Sequence, residues 1–220
     1  MEAALAQILR HPVDVVGCGR TDAGVHARYY VAHFDSETAL PPNFLNGLNA
    51  LLGPDIAVHG IQPVSPQAHA RFDAYERSYA YYIALRKDPF AQDTAWFYPQ
   101  HSKLEHAKMA EVAALLPRYE AFFPFCKTHS GVDSYACQLK SAHWEYLPEQ
   151  HRLIFHISAN RFLRGMVRLI VGACIQAARG QVPVEAVQAA LDTQSPLPKS
   201  LSVPPQGLFL TDVRYSDCAD

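Results

Sequence analysis

Long apolar runs are missing from this sequence. No stretch reaches the ~18 residues that a membrane-spanning helix needs, so no span is expected. The opening MEAALAQILRHP carries an acid at Glu2 and lacks the basic start and apolar centre of a secretory signal. Cysteine is sparse and scattered: five residues, at 18, 126, 137, 174 and 218, with no C-x-x-C pair. That spacing suggests neither a disulfide framework nor a zinc site, and it points to a reduced, cytoplasmic setting. Excess positive charge is absent too. Nineteen Lys and Arg face 21 Asp and Glu, for a net charge of −2, which argues against indiscriminate phosphate binding. Also missing are the G-K-[ST] close of a P-loop, the third glycine of a dinucleotide fingerprint, an H-E-x-x-H pair and a G-x-S-x-G elbow.

What is present suits a globular chain. Its 220 residues are 49% hydrophobic and 18% charged, enough for one large domain or two small ones with a sizeable core. Arginine outnumbers lysine by about two to one, and arginine suits bidentate phosphate recognition and stacking. The positions of the arginines therefore matter more than the net charge.

Hydrophobic periodicity and punctuation give the elements. Residues 2–10 read as a short helix and Val13–Val16 as a short strand entering a Gly17–Gly24 loop. Arg28–Asp35 and Ile56–Val64 read as strands, with a helix from Pro41 to Leu52 between them. Arg77–Leu85, rich in tyrosine, reads as a strong strand. A second half begins near residue 93. Ser102 and Glu105 form a capping-box pattern before a helix ended by Pro117. An irregular loop over 118–138 precedes paired strands at Ser141–Leu147 and Leu153–Ser158. The longest helix is expected over Arg161–Ala178, closed by Gly180. A helix over Val184–Asp192, a Pro/Ser-rich loop and a strand over Leu208–Tyr215 finish the chain. This mixture suggests an α+β fold rather than a doubly wound parallel sheet.

On the long helix, Arg161, Arg164, Arg168 and Arg179 fall within an arc of about 60° at ~100° per residue. The line reads as a solvated edge, or as the wall of a cleft facing an anionic partner. The stretch GCGRTDAGVHA offers an aspartate, Asp22, on a glycine-flanked loop at a strand end, with Arg20 two residues before it. Locally, Asp22 reads either as a cap of an Asx-type turn or as a reactive carboxylate on a rigid scaffold.

GRTDAGVH (19–26) resembles the signature loop of the TruA family of tRNA pseudouridine synthases. Three further segments are similar to that family's motifs, in the family's order: HARFDAYERSYAYYI (69–83), ANRFLRGMVRLIVG (159–172) and PPQGLFLTDVRY (204–215). The resemblance implies two similar α+β halves, 1–92 and 93–220. Each would be an antiparallel sheet with helices on one side, with a basic cleft between the halves. It implies a homodimer acting on the anticodon stem-loop of tRNA, at tRNA positions 38, 39 and 40. It makes Asp22 the catalytic aspartate and Arg20 the loop arginine near the target base. Tyr79 would lie against the uracil, and Arg168 would pair with the aspartate. Arg161, Arg164 and Arg179 are candidate tRNA contacts. Family members usually begin with a further strand and a G-W-Q-like segment. This chain starts inside the first helix, so one strand of the N-terminal sheet is expected to be absent, with its backbone partners left to another chain or to nothing.

Such chemistry suits these residue types. Pseudouridine formation breaks the N1–C1′ bond of a uridine and joins C5 to C1′. It needs no redox step, metal or cofactor. An aspartate can act covalently at C1′ or at C6 of the ring, and a neighbouring cation favours an ionised carboxylate. The target base must first leave its stem, at a cost of a few kcal/mol. The bland alternatives are a cross-strand core aromatic for Tyr79, as for Tyr75, Tyr81 and Tyr82, a surface ion pair for Arg168, and a structural hydrogen bond for His26. Two other functions fit less of the sequence. One is a tRNA-binding or folding protein without catalysis. The other is a glycoside-processing enzyme drawing a second carboxylate from Glu76 or Asp73.

Overall fold

A computed structural model describes residues 1–127, 131 and 133–216. Its elements run in the order α1 (Glu2–Leu9), β1 (Val16–Gly17), β2 (His26–Ala27), β3 (Ala32–His33), α2 (Phe44–Leu51) and β4 (Ala74–Ala84). Then follow β5 (Trp96–Phe97), α3 (His106–Leu115), β6 (Leu139–Leu147), β7 (Arg152–Ala159), α4 (Met166–Ala178), α5 (Val184–Thr193) and β8 (Leu208–Tyr215). The fold is α+β, as expected. Cys218 and part of the 118–138 loop lie outside the described residues.

The chain forms two compact units, Met1–Arg20 with Val31–Ala74, and Thr21–Tyr30 with Tyr75–Asp220. In the smaller unit β1 pairs antiparallel with β3. Ala4, Leu5, Val13, Phe44 and Leu48 form its core, so α1 and α2 each turn one apolar face inward. In the larger unit a six-stranded mixed sheet runs β2-β8-β4-β7-β6, with β5 beside β4. The β4–β7 and β6–β7 ladders are antiparallel, whereas β2–β8 and β4–β5 are parallel. Strands from both sides of residue 92 thus share this sheet. Tyr81, Ile83, Leu153, Phe155 and Ile157 alternate onto one face of the sheet and form one core with apolar residues of α3, α4 and α5. Twelve of the thirteen residues of α4 are buried, which makes it the central helix of this unit.

Several expectations need correction. Arg28–Asp35 is not one strand: β2 and β3 flank residues 28–31 and join different sheets. The short strand expected over Val13–Val16 is reduced to Val16–Gly17. No strand forms over 56–64, because the Asn49 carboxamide takes both backbone groups of Val58, at 2.8 and 2.8 Å. Ser102 does not cap α3. Glu105 stands at the N-cap without a side-chain cap, its carboxylate bonded to Lys108 at 2.9 Å and its N–H to the Ala178 carbonyl at 3.0 Å. Tertiary contact sets that helix start, overriding the local pattern.

The longest helix begins five residues later than its sequence suggests. Gly165 adopts φ 72°, a left-handed conformation open to glycine, and the Arg164 carbonyl accepts the Lys127 N–H at 3.1 Å. Arg161 and Arg164 therefore precede α4, and the expected arginine line on one helix does not form. Gly180 closes the helix as expected, at φ 66°.

Burial explains the quiet cysteines. Cys174 and Cys137 are buried, which pushes their thiols up to about 12 and about 11. Neither is expected to react with iodoacetamide at pH 8 in the native protein, where almost no thiolate exists. Peptide mass mapping checks this, and both should label once the chain is unfolded.

Candidate active site

Asp22 sits at the start of a turn that the Val25 N–H closes onto the Asp22 carbonyl at 3.1 Å. Gly24 follows, so close to Pro205 that an added Cβ would lie 3.1 Å from its Cγ. The chain then enters β2. There the His26 Nε2 is 2.6 Å from the Asp93 carbonyl, and its ring stacks on Phe209 at 4.6 Å. His26 thus makes the structural hydrogen bond expected for it. Val25 packs against the core of the unit. The loop is fixed at its far end, and the Asp22 carboxylate remains partly open, with 25% of its side chain exposed.

Arg168 approaches from the first turns of α4. Its Nη1 donates to Asp22 Oδ2 at 2.9 Å, in an ion pair whose arginine side chain is only 13% exposed. Its Nε donates to the Val203 carbonyl at 2.7 Å, and the Val203 N–H returns a bond to the Arg168 carbonyl at 3.3 Å. The guanidinium is thereby held at two edges. Asp22 Oδ1 has no hydrogen bond among the described residues. A carboxylate oriented through one oxygen and open at the other can attack an electrophile.

The segment over 201–205 makes this arrangement possible. It lies against α4 where Gly172 has no side chain: an added Cβ would lie 1.8 Å from the Leu201 carbonyl oxygen. Its Pro204 carbonyl accepts the Tyr81 hydroxyl at 2.7 Å. The residue identities alone did not reveal Val203, Pro204, Pro205 or Gly172 as parts of the site. A glycine inside an apolar helix was one usable signal, since such a glycine often marks a close approach; the motif over 204–215, which opens with Pro204 and Pro205, was another.

The other named residues lie as follows. Tyr79 is on β4, half-buried, its ring edge-on to Phe162 at 5.1 Å. Tyr81 is a fully buried core aromatic, Tyr82 is half-buried, and Tyr75 is exposed instead, with the Lys140 ammonium 5.0 Å above its ring. Arg20 is exposed, in the smaller unit. Arg161 and Arg164 are exposed on the approach to α4, and Arg179 is exposed at its far end. Eleven residues of helix, about 16 Å, separate Arg179 from Arg168. The structure therefore brings together Asp22 and Arg168, and it does not gather the arginines into one row. Glu76 is buried and pairs with Lys140, so its carboxylate is already engaged.

Comparisons with known proteins agree with the four motifs. A family model described as tRNA pseudouridine synthase matches residues 120–216. The chain is 42% identical to tRNA pseudouridine synthase A of Parabacteroides distasonis over 219 residues, covering 99% of this chain and 85% of the relative. It is 41% identical to that of Bacteroides thetaiotaomicron, over 97% of this chain and 80% of the relative. For the Neisseria meningitidis protein of the same name the figures are 36%, 99% and 82%. With identity at that level across nearly its whole length, the chain belongs to the tRNA pseudouridine synthase family.

Proposed function

We propose that this chain isomerises uridine to pseudouridine in the anticodon stem-loop of tRNA, with Asp22 as the attacking carboxylate. One observation carries the reading: Asp22 Oδ2 is held by Arg168 at 2.9 Å while Oδ1 is unbonded among the described residues. Attack at C1′ or C6 by that oxygen frees N1 from C1′. The uracil turns, C5 joins C1′, the bond from the Asp22 oxygen to C1′ or C6 breaks and restores the free carboxylate, and the C5 hydrogen leaves as a proton while N1 gains one. No electrons leave the substrate.

Arg168 fixes the carboxylate and offsets its charge. Tyr79 presents its ring to the flipped uracil and its hydroxyl to proton transfer at C5. Arg20 occupies the space the base vacates. Arg161, Arg164 and Arg179 contact the tRNA backbone, and their exposure supports this. The halves 1–92 and 93–220 are read as the two walls of a basic cleft. We further propose that the enzyme works in the cytoplasm as a homodimer. No helix among the described residues is long and apolar enough to cross a membrane.

The test is site mapping. Unmodified tRNA transcripts incubated with the protein, then treated with a carbodiimide and reverse-transcribed, should show stops at uridines of the anticodon stem-loop. Transcripts with cytidine at those positions should show none. Stops confined to other parts of the tRNA would overturn the substrate assignment.

A further inference from the structure

We propose that Tyr81, which does not face the substrate, is a positioning residue that sets the Asp22–Arg168 geometry through the backbone of residues 203–205. The inference rests on the reading of Asp22 as the reacting group and adds a residue to it. Four contacts make the chain of influence. The Tyr81 hydroxyl donates to the Pro204 carbonyl at 2.7 Å. The preceding carbonyl, of Val203, accepts Arg168 Nε at 2.7 Å. Arg168 Nη1 holds Asp22 Oδ2 at 2.9 Å. The next residue, Pro205, backs Gly24 in the Asp22 turn. One three-residue segment thus touches the arginine on one side and the aspartate loop on the other, and the Tyr81 hydroxyl anchors its middle.

The anchor is rigid for physical reasons. Tyr81 is fully buried on β4, between the β7 and β8 neighbours of a central strand. An added Cβ on Gly207 would lie 2.8 Å from its ring, so the chain after Pro205 lies close against the tyrosine. Burial also pushes the hydroxyl well above the usual tyrosine range, so it stays a neutral donor at all working pH values. Two prolines at 204 and 205 limit how the segment can re-form once the bond is lost. A catalytic carboxylate misplaced by about 1 Å can lose about a hundredfold in rate.

The test compares Tyr81→Phe with Tyr119→Phe. Tyr119 also gives up a short hydroxyl bond, 2.6 Å to Asp192, far in sequence from the 203–205 segment and touching neither Asp22 nor Arg168 in that bond. Tyr81→Phe should lower the single-turnover rate about ten- to a hundredfold with tRNA affinity within about twofold. Tyr119→Phe should leave the rate within about twofold. In an Arg168→Ala background Tyr81→Phe should cost at least several-fold less than it does alone, because the arginine route is then already lost and only the Pro205–Gly24 contact remains. A readout free of activity is the NMR signal of the Arg168 Nε–H, whose solvent exchange should quicken at least about tenfold in Tyr81→Phe alone. An unchanged rate and unchanged exchange would overturn the proposal, as would a loss of equal size in the Arg168→Ala background. A parent protein that makes no pseudouridine would instead fail the synthase reading, and the exchange measurement would still decide the structural link.

Discussion

Asp22→Asn is expected to make no detectable pseudouridine while keeping its fold and its tRNA. The amide has the shape of the carboxylate and can still accept from Arg168, so the turn closed by Val25 and the strand β2 should survive. An ion pair becomes a bond from the charged guanidinium to a neutral amide oxygen, which costs about 1–2 kcal/mol of stability. The chemical loss is far larger. An amide oxygen is not a nucleophile of useful strength, and removing the attacking group from a site of this kind costs about 10⁴-fold or more. Nucleoside analysis of digested tRNA reads the product, filter binding reads the affinity, and a thermal melt reads the fold. Loss of product together with loss of binding would assign Asp22 a structural role instead.

Gly172→Ala should be the most damaging small substitution in the larger unit. The added carbon would lie 1.8 Å from the Leu201 carbonyl oxygen and 2.7 Å from its carbon. Both are backbone atoms, so no side chain can swing aside. Alanine would gain about 1 kcal/mol in helix propensity, but overpacking against a rigid neighbour costs about 3 kcal/mol or more. The net loss of about 2 kcal/mol or more should lower the thermal midpoint by at least about 4–8 °C for a chain of this size. Activity should fall further than stability, because Arg168, one helical turn earlier, bonds Val203 in the same displaced segment. Gly53→Ala is the control: its Cβ would meet nothing within 4 Å, and the midpoint should stay within about 1 °C.

Much of the fold was legible because its signals are local. Strand β8 falls where its residues alternate, Leu208–Tyr215, and α5 starts at Val184 as its pattern indicates. Two of the misreadings share one cause, a distant partner, and a third has a local one. Residues 28–35 alternate like a strand, yet β2 follows β8 and β3 follows β1, so the ladder partners break the run. Residues 56–64 look like a strand, but a helix side chain, Asn49, satisfies Val58. The helix placed from Arg161 ignored Gly165, whose left-handed backbone delays its start to Met166. At the site, Asp22 and Arg168 could be named from motifs because each carries a distinctive side chain. The Val203 and Pro204 carbonyls could not, since a backbone oxygen leaves no residue-specific mark.

The central claim is that Asp22 reacts with the uridine. The most direct test is release of tritium from tRNA carrying 5-tritiated uridine, with the parent chain and Asp22→Asn run in parallel, because joining C5 to C1′ expels that hydrogen. The account predicts release by the parent and none by the variant, with tRNA bound by both. Equal release by the two proteins, or none by a parent that binds tRNA, would contradict it.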